Sequence, residues 1–247
     1  MNTFSLVVDV WEGSLEIDES LLRPYVDGFI VRLNDMNGGH HRDKTFDTQW
    51  AQVASFARSP YFVYNPWVTG RENYDWLRAN MPADTKVVAV DIEVVYPNYA
   101  PAIYAQEVRN FLNLTKLSWR PVIYTGGGFK YLLNSWPGDF DYWWAYYPDP
   151  AKFAGVTNWA ELLRVMGTMT VPPNIGIIPG PLRLWQFCDK LILPGTQRTT
   201  DVNLFYGTRA ELYAWFGQDM LPQADNSDLV ARLAALEEWA RHVGYTK

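Results

Sequence analysis

The stretch KVVAVDIEVV (residues 86–95) decides how the rest of the chain is read. It is short, β-branched and apolar between polar neighbours, the pattern of a buried strand. Side chains on a strand alternate faces. Val88, Val90, Ile92 and Val94 therefore share a wholly apolar face, which must pack on something, most simply a layer of helices. The other face runs from Val87 and Ala89 to two acids, Asp91 and Glu93. Buried unpaired charge is costly, so this end of the strand needs partners, protons or a solvent-filled cleft. Adjacent carboxyls also repel, which tends to keep one protonated near neutral pH. The plainer alternative is a strand end that has reached solvent.

Similar runs occur at residues 4–10, 28–33, 61–65, 120–125, 142–147, 182–187 and 201–205. Helical patterns fill 46–59, 73–81 and 100–116, the last with Ile103, Val108, Phe111 and Leu112 as an inner stripe. Alternating strands and helices predict a parallel sheet with helices outside. Eight strands predict an α/β barrel that closes or nearly closes. Residues 1–219 are assigned to this barrel and 220–247 to a linker and amphipathic C-terminal helix. In that tail Leu229, Leu233, Leu236, Ala240 and Val243 form a seam of about two heptads. It reads as a helix docked on its own domain or as a short self-association element.

Composition excludes several classes. The 247 residues carry a net charge of −6 without a basic block, which argues against nucleic acid as a partner. One cysteine, Cys188, rules out an intrachain disulfide. Three scattered histidines give no metal-ligand spacing, and no cofactor motif is present; the GGG at 126–128 lacks phosphate-loop spacing. His40 and His41 fall in a polar loop and read as solvent-exposed. No apolar run reaches membrane-spanning length, and the N-terminus has no signal-peptide pattern. The expectation is a protein that stays in the cytoplasm until released, with no membrane partner. The 12 Trp and 15 Tyr suit both a barrel core and a sugar-binding surface.

Strand ends of a β/α barrel meet in one mouth. Asp9, Asp91, Glu93 and Asp201 occupy such positions, with Tyr124, Trp144, Tyr146, Trp185 and Gln186 nearby and Tyr64 and Trp67 after the third strand. Four acids ringed by aromatics serve a core poorly. The adjacent Trp143 and Trp144 face opposite ways, and one of them is expected to line the cleft.

The motifs VVDVWEG, VAVDIE, RPVIYTGGGF, LRLWQF and DVNLFYGT, in this order from Val7 to Gly207, resemble those of glycoside hydrolase family 25, the Chalaropsis-type lysozymes. The resemblance implies an irregular, flattened TIM-like barrel. It implies metal-free hydrolysis of the β-1,4 bond between N-acetylmuramic acid and N-acetylglucosamine in peptidoglycan, with retention. Carried over by position, Glu93 is the general acid/base and Asp91 its partner carboxylate, the nucleophile or the support of a substrate-assisted step. Asp9 and Asp201 complete the pocket, and Tyr124 contacts the N-acetyl group. On this reading Glu93 has a raised pKa and Asp91 a low one. The chain departs from the family pattern in a first loop two residues shorter, with Glu12 where Gln is usual. It has Tyr64–Asn65 where Tyr-His is common, and a longer excursion over 149–181. Lack of a signal peptide and of wall-binding repeats suits a phage-type endolysin. The rival readings are a non-catalytic sugar-binding or structural barrel, and a glycosidase for another N-acetylated β-1,4 glycan.

Overall fold

The computed structural model describes residues 4–14, 17–35, 39–94, 100–129, 138–169, 178–196 and 198–220. The expected tail helix and its seam lie outside the described residues.

The strands are β1 (Ser5–Val10), β2 (Gly28–Arg32), β3 (Asn34–Asp35), β4 (His41–Arg42), β5 (Ala57–Val63), β6 (Val87–Asp91), β7 (Arg120–Gly126), β8 (Asp141–Ala145), β9 (Leu182–Leu191) and β10 (Thr200–Phe205). Eight of them close a barrel in the order β1-β10-β9-β8-β7-β6-β5-β2, and β3 pairs with β4 in a separate ribbon. The described helices are α1 (Glu19–Leu22), α2 (Phe46–Gln52), α3 (Gly70–Asn80), α4 (Pro101–Thr115), α5 (Trp159–Met166) and α6 (Arg209–Phe216). The fold is thus an α/β barrel of TIM-like form.

The sheet departs from the all-parallel expectation at one strand. β10 runs antiparallel to both β1 and β9. Its N-terminal part therefore lies at the same mouth as the C-terminal ends of the other strands, and its register sets Asp201 opposite Asp9. Two boundaries also move. The helix expected over 46–59 stops at Gln52, and β5 begins at Ala57, four residues before the expected start.

The alternation read from β6 holds in three dimensions. Val87 and Ala89 point into the barrel with Val7, Ile30, Val122, Trp143 and Leu184. Val88, Val90 and Ile92 face outward into the layer between barrel and helices, among Phe62, Tyr64, Tyr104 and Phe111. On α4 the buried stripe is Tyr104, Ala105, Val108, Phe111 and Leu112, whereas Ile103 is 53% exposed. α3 starts at a true cap: the Thr69 hydroxyl accepts from the Glu72 backbone while the Glu72 carboxylate returns to the Thr69 N–H. At Gly70 a Cβ would lie 2.5 Å from the Glu107 carbonyl, so only glycine allows α3 this close to α4.

His40 is not a solvent-exposed loop residue. Its ring packs on Phe62 and Trp76, at 4.9 and 5.1 Å between centroids. The Asn34 amide is oriented by a pair of hydrogen bonds with the Val63 backbone, and its Nδ2 lies 3.0 Å from His40 Nδ1. His40 Nε2 in turn lies 2.9 Å from Asn73 Oδ1. A donor on one side and an acceptor on the other select the neutral ring protonated at Nε2. Burial pushes the His40 pKa below its ordinary 6.5, against the pull of Asn73.

A depressed folded pKa means stability that is complete above about 6.5 and is lost as the pH falls through the folded value. Thermal unfolding of the wild type and of His40→Gln checks this between about pH 7.5 and 5. The wild type should lose more stability on acidification, by about the 0.5–1.5 kcal/mol of one net hydrogen bond. Parallel curves would refute the neutral-ring assignment.

Candidate active site

The mouth of the barrel holds a cavity of about 220 Å³. It is lined by Asp9 from β1 and Trp11 just after it, Arg32 from β2, Tyr61 from β5, Asp91 and Glu93 from β6 and its extension, and Tyr124 from β7. Trp143, Gln186 and Asp201 complete the wall from β8, β9 and β10. All four acids named from sequence come together there, as do Tyr124 and Gln186.

The remaining named residues do not line it. Tyr64, Trp144 and Trp185 are buried in the outer layer, and Tyr146 packs against that layer. The Trp185 indole donates to the Tyr146 carbonyl at 2.7 Å. The cause is parity. Strand register sets Trp143 beside Tyr124 inside the barrel, which turns Trp144 outward. Trp67 stands in the turn beyond β5, 54% exposed, away from the cavity wall.

Asp9 is 4% exposed and accepts from two amides on the same oxygen. Asn203 Nδ2 lies 2.7 Å and Gln186 Nε2 3.0 Å from Asp9 Oδ2. Register sets Asp201 opposite Asp9, where the two carboxyls can share a hydrogen bond. Such a bond needs a proton, and the partners assign it. Two amide donors favour the ionised form of Asp9, leaving Asp201 as the protonated donor. Burial still carries Asp9 up to about 6, because those bonds offset it only in part. Burial, then the Asp9 charge, pushes Asp201 up to about 9.

Asp91 is in a different position. Its Oδ1 is sealed from solvent and meets no donor among the described residues. Burial, then the charges of Glu93 and Asp9, drives its pKa well above the carboxylate range, with Arg32 pulling the other way. The low pKa expected for Asp91 is therefore wrong for the open cleft. Glu93 is exposed to the cleft by surface area, yet the crowded walls around its carboxyl raise its pKa through burial. Water in the cleft moderates that rise, which should strengthen when a ligand displaces it.

Arg32, Trp11 and Tyr61 were not singled out from sequence as cleft residues, nor was Asn203 as a partner of Asp9; of the tryptophan pair, Trp143 is the one that lines the cleft. Arg32 is the cation among the described lining residues. Its Nε bonds Asp43 at 2.7 Å, its guanidinium lies 5.1 Å from the Trp11 ring, and Glu12 stands 3.8 Å away. Same-face spacing gave a usable signal in two cases, Ile30 to Arg32 and Asp201 to Asn203. Among the described residues, no group of three or more His, Cys, Asp or Glu side chains could hold a metal ion. No described helix is long and apolar enough to cross a membrane.

No family model matches the sequence, and no curated protein does. Solved structures match the fold. A bacterial lysozyme from Streptomyces coelicolor superposes with a TM-score of 0.67 at 18% identity, over 87% of this chain and 98% of its own. A family 25 glycosyl hydrolase from Bacillus anthracis gives 0.63 at 16% identity, over 86% and 93%. A muramidase from Trichobolus zukalii gives 0.59 at 18%, over 86% and 98%. The chain shares the barrel of these lysozymes and muramidases.

Asp91 should weaken the fold it sits in. Unfolded, it titrates near 3.8; folded, well above that. The folded state binds more protons across this window, so stability falls as pH rises through it. Asp91→Asn should be more stable than the wild type at pH 8, by about 1–3 kcal/mol, because it removes a buried charge that faces Glu93 and Asp9. The gain should shrink toward pH 4. Paired melting curves that show no gain, or a gain growing toward acid, would sink the argument.

Proposed function

We propose that the chain is a glycoside hydrolase of family 25 that cleaves the β-1,4 bond between N-acetylmuramic acid and N-acetylglucosamine in peptidoglycan. The observation that carries this reading is the convergence of Asp9, Asp91, Glu93 and Asp201 on one cavity, at the mouth of a barrel shared with lysozymes and muramidases.

Glycoside cleavage needs a protonated carboxyl at the leaving oxygen and negative charge near the oxocarbenium-like centre. Glu93 suits the first role. It is open to the cleft, where a glycan enters, and its pKa is raised. Asp91 lies two residues earlier on the same face and lines the same cavity. On this reading the N–H of the sugar's 2-acetamido group is the donor that its carboxyl accepts there. Accepting that N–H orients the acetamido oxygen toward the anomeric carbon. Direct attack by Asp91, once its carboxyl has given up its proton, is the other route to retention. Asp9 supplies fixed negative charge beneath the ring. Tyr124 stays a neutral phenol, since burial and the surrounding acids push its pKa far up. Peptidoglycan strands are the partner this reading names, and the bacterial wall is the place of action. A phage-type endolysin is one enzyme of this kind.

The test is release of reducing ends from purified peptidoglycan, with products identified by mass spectrometry. The wild type should expose muramic-acid reducing ends, and Glu93→Gln should lose at least ~10²-fold while keeping the wild-type melting profile. Activity on chitin-type oligomers instead would replace the substrate, not the mechanism. A folded wild type silent on both would leave a sugar-binding barrel.

A further inference from the structure

The cleft contains one hydrogen-bond chain that converges on Asp9. Gln186 is 2% exposed and uses both ends of its amide. Its Oε1 accepts from Tyr124 at 2.7 Å and from Tyr147 at 2.5 Å, while its Nε2 donates to Asp9 Oδ2. Asn203 is fully buried and does the same from the other side. Its Oδ1 accepts from the Trp143 indole at 2.7 Å, and its Nδ2 donates to Asp9 Oδ2 and to the Val7 carbonyl at 3.1 Å. Neither amide is free to turn over. Inverting Gln186 would aim its carbonyl at the Asp9 carboxylate. Inverting Asn203 would set its NH₂ against the indole N–H, which is a donor only.

We infer that Gln186 and Asn203 are positioning residues that hold Asp9 as the ionised member of the acid cluster, with Tyr124, Tyr147 and Trp143 locking the two amides in the donating sense. The assignment is a sorting of protons. Four carboxyls in one small cavity cannot all ionise. Arg32 is the cation facing them from β2, and it is already engaged by Asp43. Asp91 and Glu93 face Asp9 from β6 and its extension, and Tyr61 from β5, and none of these brings a hydrogen bond to it. The two amides therefore decide which acid keeps its charge, and Asp201 takes up a proton because Asp9 does not. Tyr147 lies beyond β8 and is 44% exposed, so the chain runs from the rim of the cleft to its floor.

The inference deepens the glycosidase reading, and its first test does not depend on it. Carboxyl titration is followed by ¹³C NMR on protein labelled at aspartate side chains, with Asp9→Asn assigning the resonance. In Gln186→Met the Asp9 midpoint should rise by about one pH unit, the scale of one hydrogen bond to a charged group. Tyr147→Phe should move it less, in the same direction. An unchanged Asp9 midpoint in both folded variants overturns the proposal, whether or not the protein cleaves glycans. Should Gln186→Met fail to fold, Tyr147→Phe decides alone, because its half-exposed ring carries little of the core. If the wild type is active, a second readout follows: the acid limb of the pH–kcat profile should move up in step, with KM within about threefold, since the lost contact is not one to substrate. A loss confined to KM would instead make Gln186 a sugar contact and overturn the positioning role.

Discussion

The mouth of the barrel confines four carboxyl groups beside one guanidinium, and the repulsion among them organises their surroundings. Each acid meets the problem differently. Asp9 keeps its charge through two amide donors, Asp201 yields its own by holding a proton, and Asp91 is left without a donor on one oxygen. Glu93 escapes partly into the cleft. A cluster in which every member was equally solvated, or equally buried, would have no division of labour. Here the environments differ by strand, so the protons are placed before any substrate arrives.

That placement depends on an antiparallel strand. Had β10 run parallel, Asp201 would sit at its N-terminal end, at the floor of the barrel, away from Asp9. Reversal brings Asp201 and Asn203 to the mouth on the inner face, where β1 presents Asp9. The unfavourable charge is carried by an apolar frame with two separate layers. Trp143, Leu184 and Phe205 fill the interior beneath the acids. Phe62, Tyr64, Phe111, Trp144 and Phe187 fill the space under the helices. Most of the aromatic excess is used there as packing, with buried areas large enough to offset a destabilised site.

Period-two alternation made the strand set legible, together with the two faces of β6 and the convergence of the acids. It failed where one rule masked another. Pro60 lies within β5, and a proline in an apolar run argues against a strand, so the start at Ala57 was missed. Strand direction leaves no mark in so short a pattern, so β10 read as one more parallel strand. Trp143 and Trp144 differ by one position, and only the register with β7 tells which is inside. Tyr64 and Trp185 had the residue type of a sugar platform but the parity of the outer layer. His40 in a Gly-rich polar loop gave no hint of the asparagines, Asn34 and Asn73, that enclose it.

The short loop after β1 ties these strands of argument together. It places Glu12 where the family resemblance expects Gln, and Glu12 approaches Arg32, which Asp43 already holds. Asp43 in turn accepts from the Glu12 backbone at 3.1 Å, so the loop and the arginine are fixed as one unit. An arginine with two carboxylates on its outer side is a poor receptor for an anion. What it offers the cavity is a positive field, felt by Asp91 and Tyr61. The cavity is therefore dominated by carboxyl groups, with its arginine already paired. On the proposed reading a carboxylate on the glycan meets repulsion from those acids and is expected outside the cavity. The altered loop thus bears on which way round a sugar enters, while the acids that would act on it stay where the strands put them.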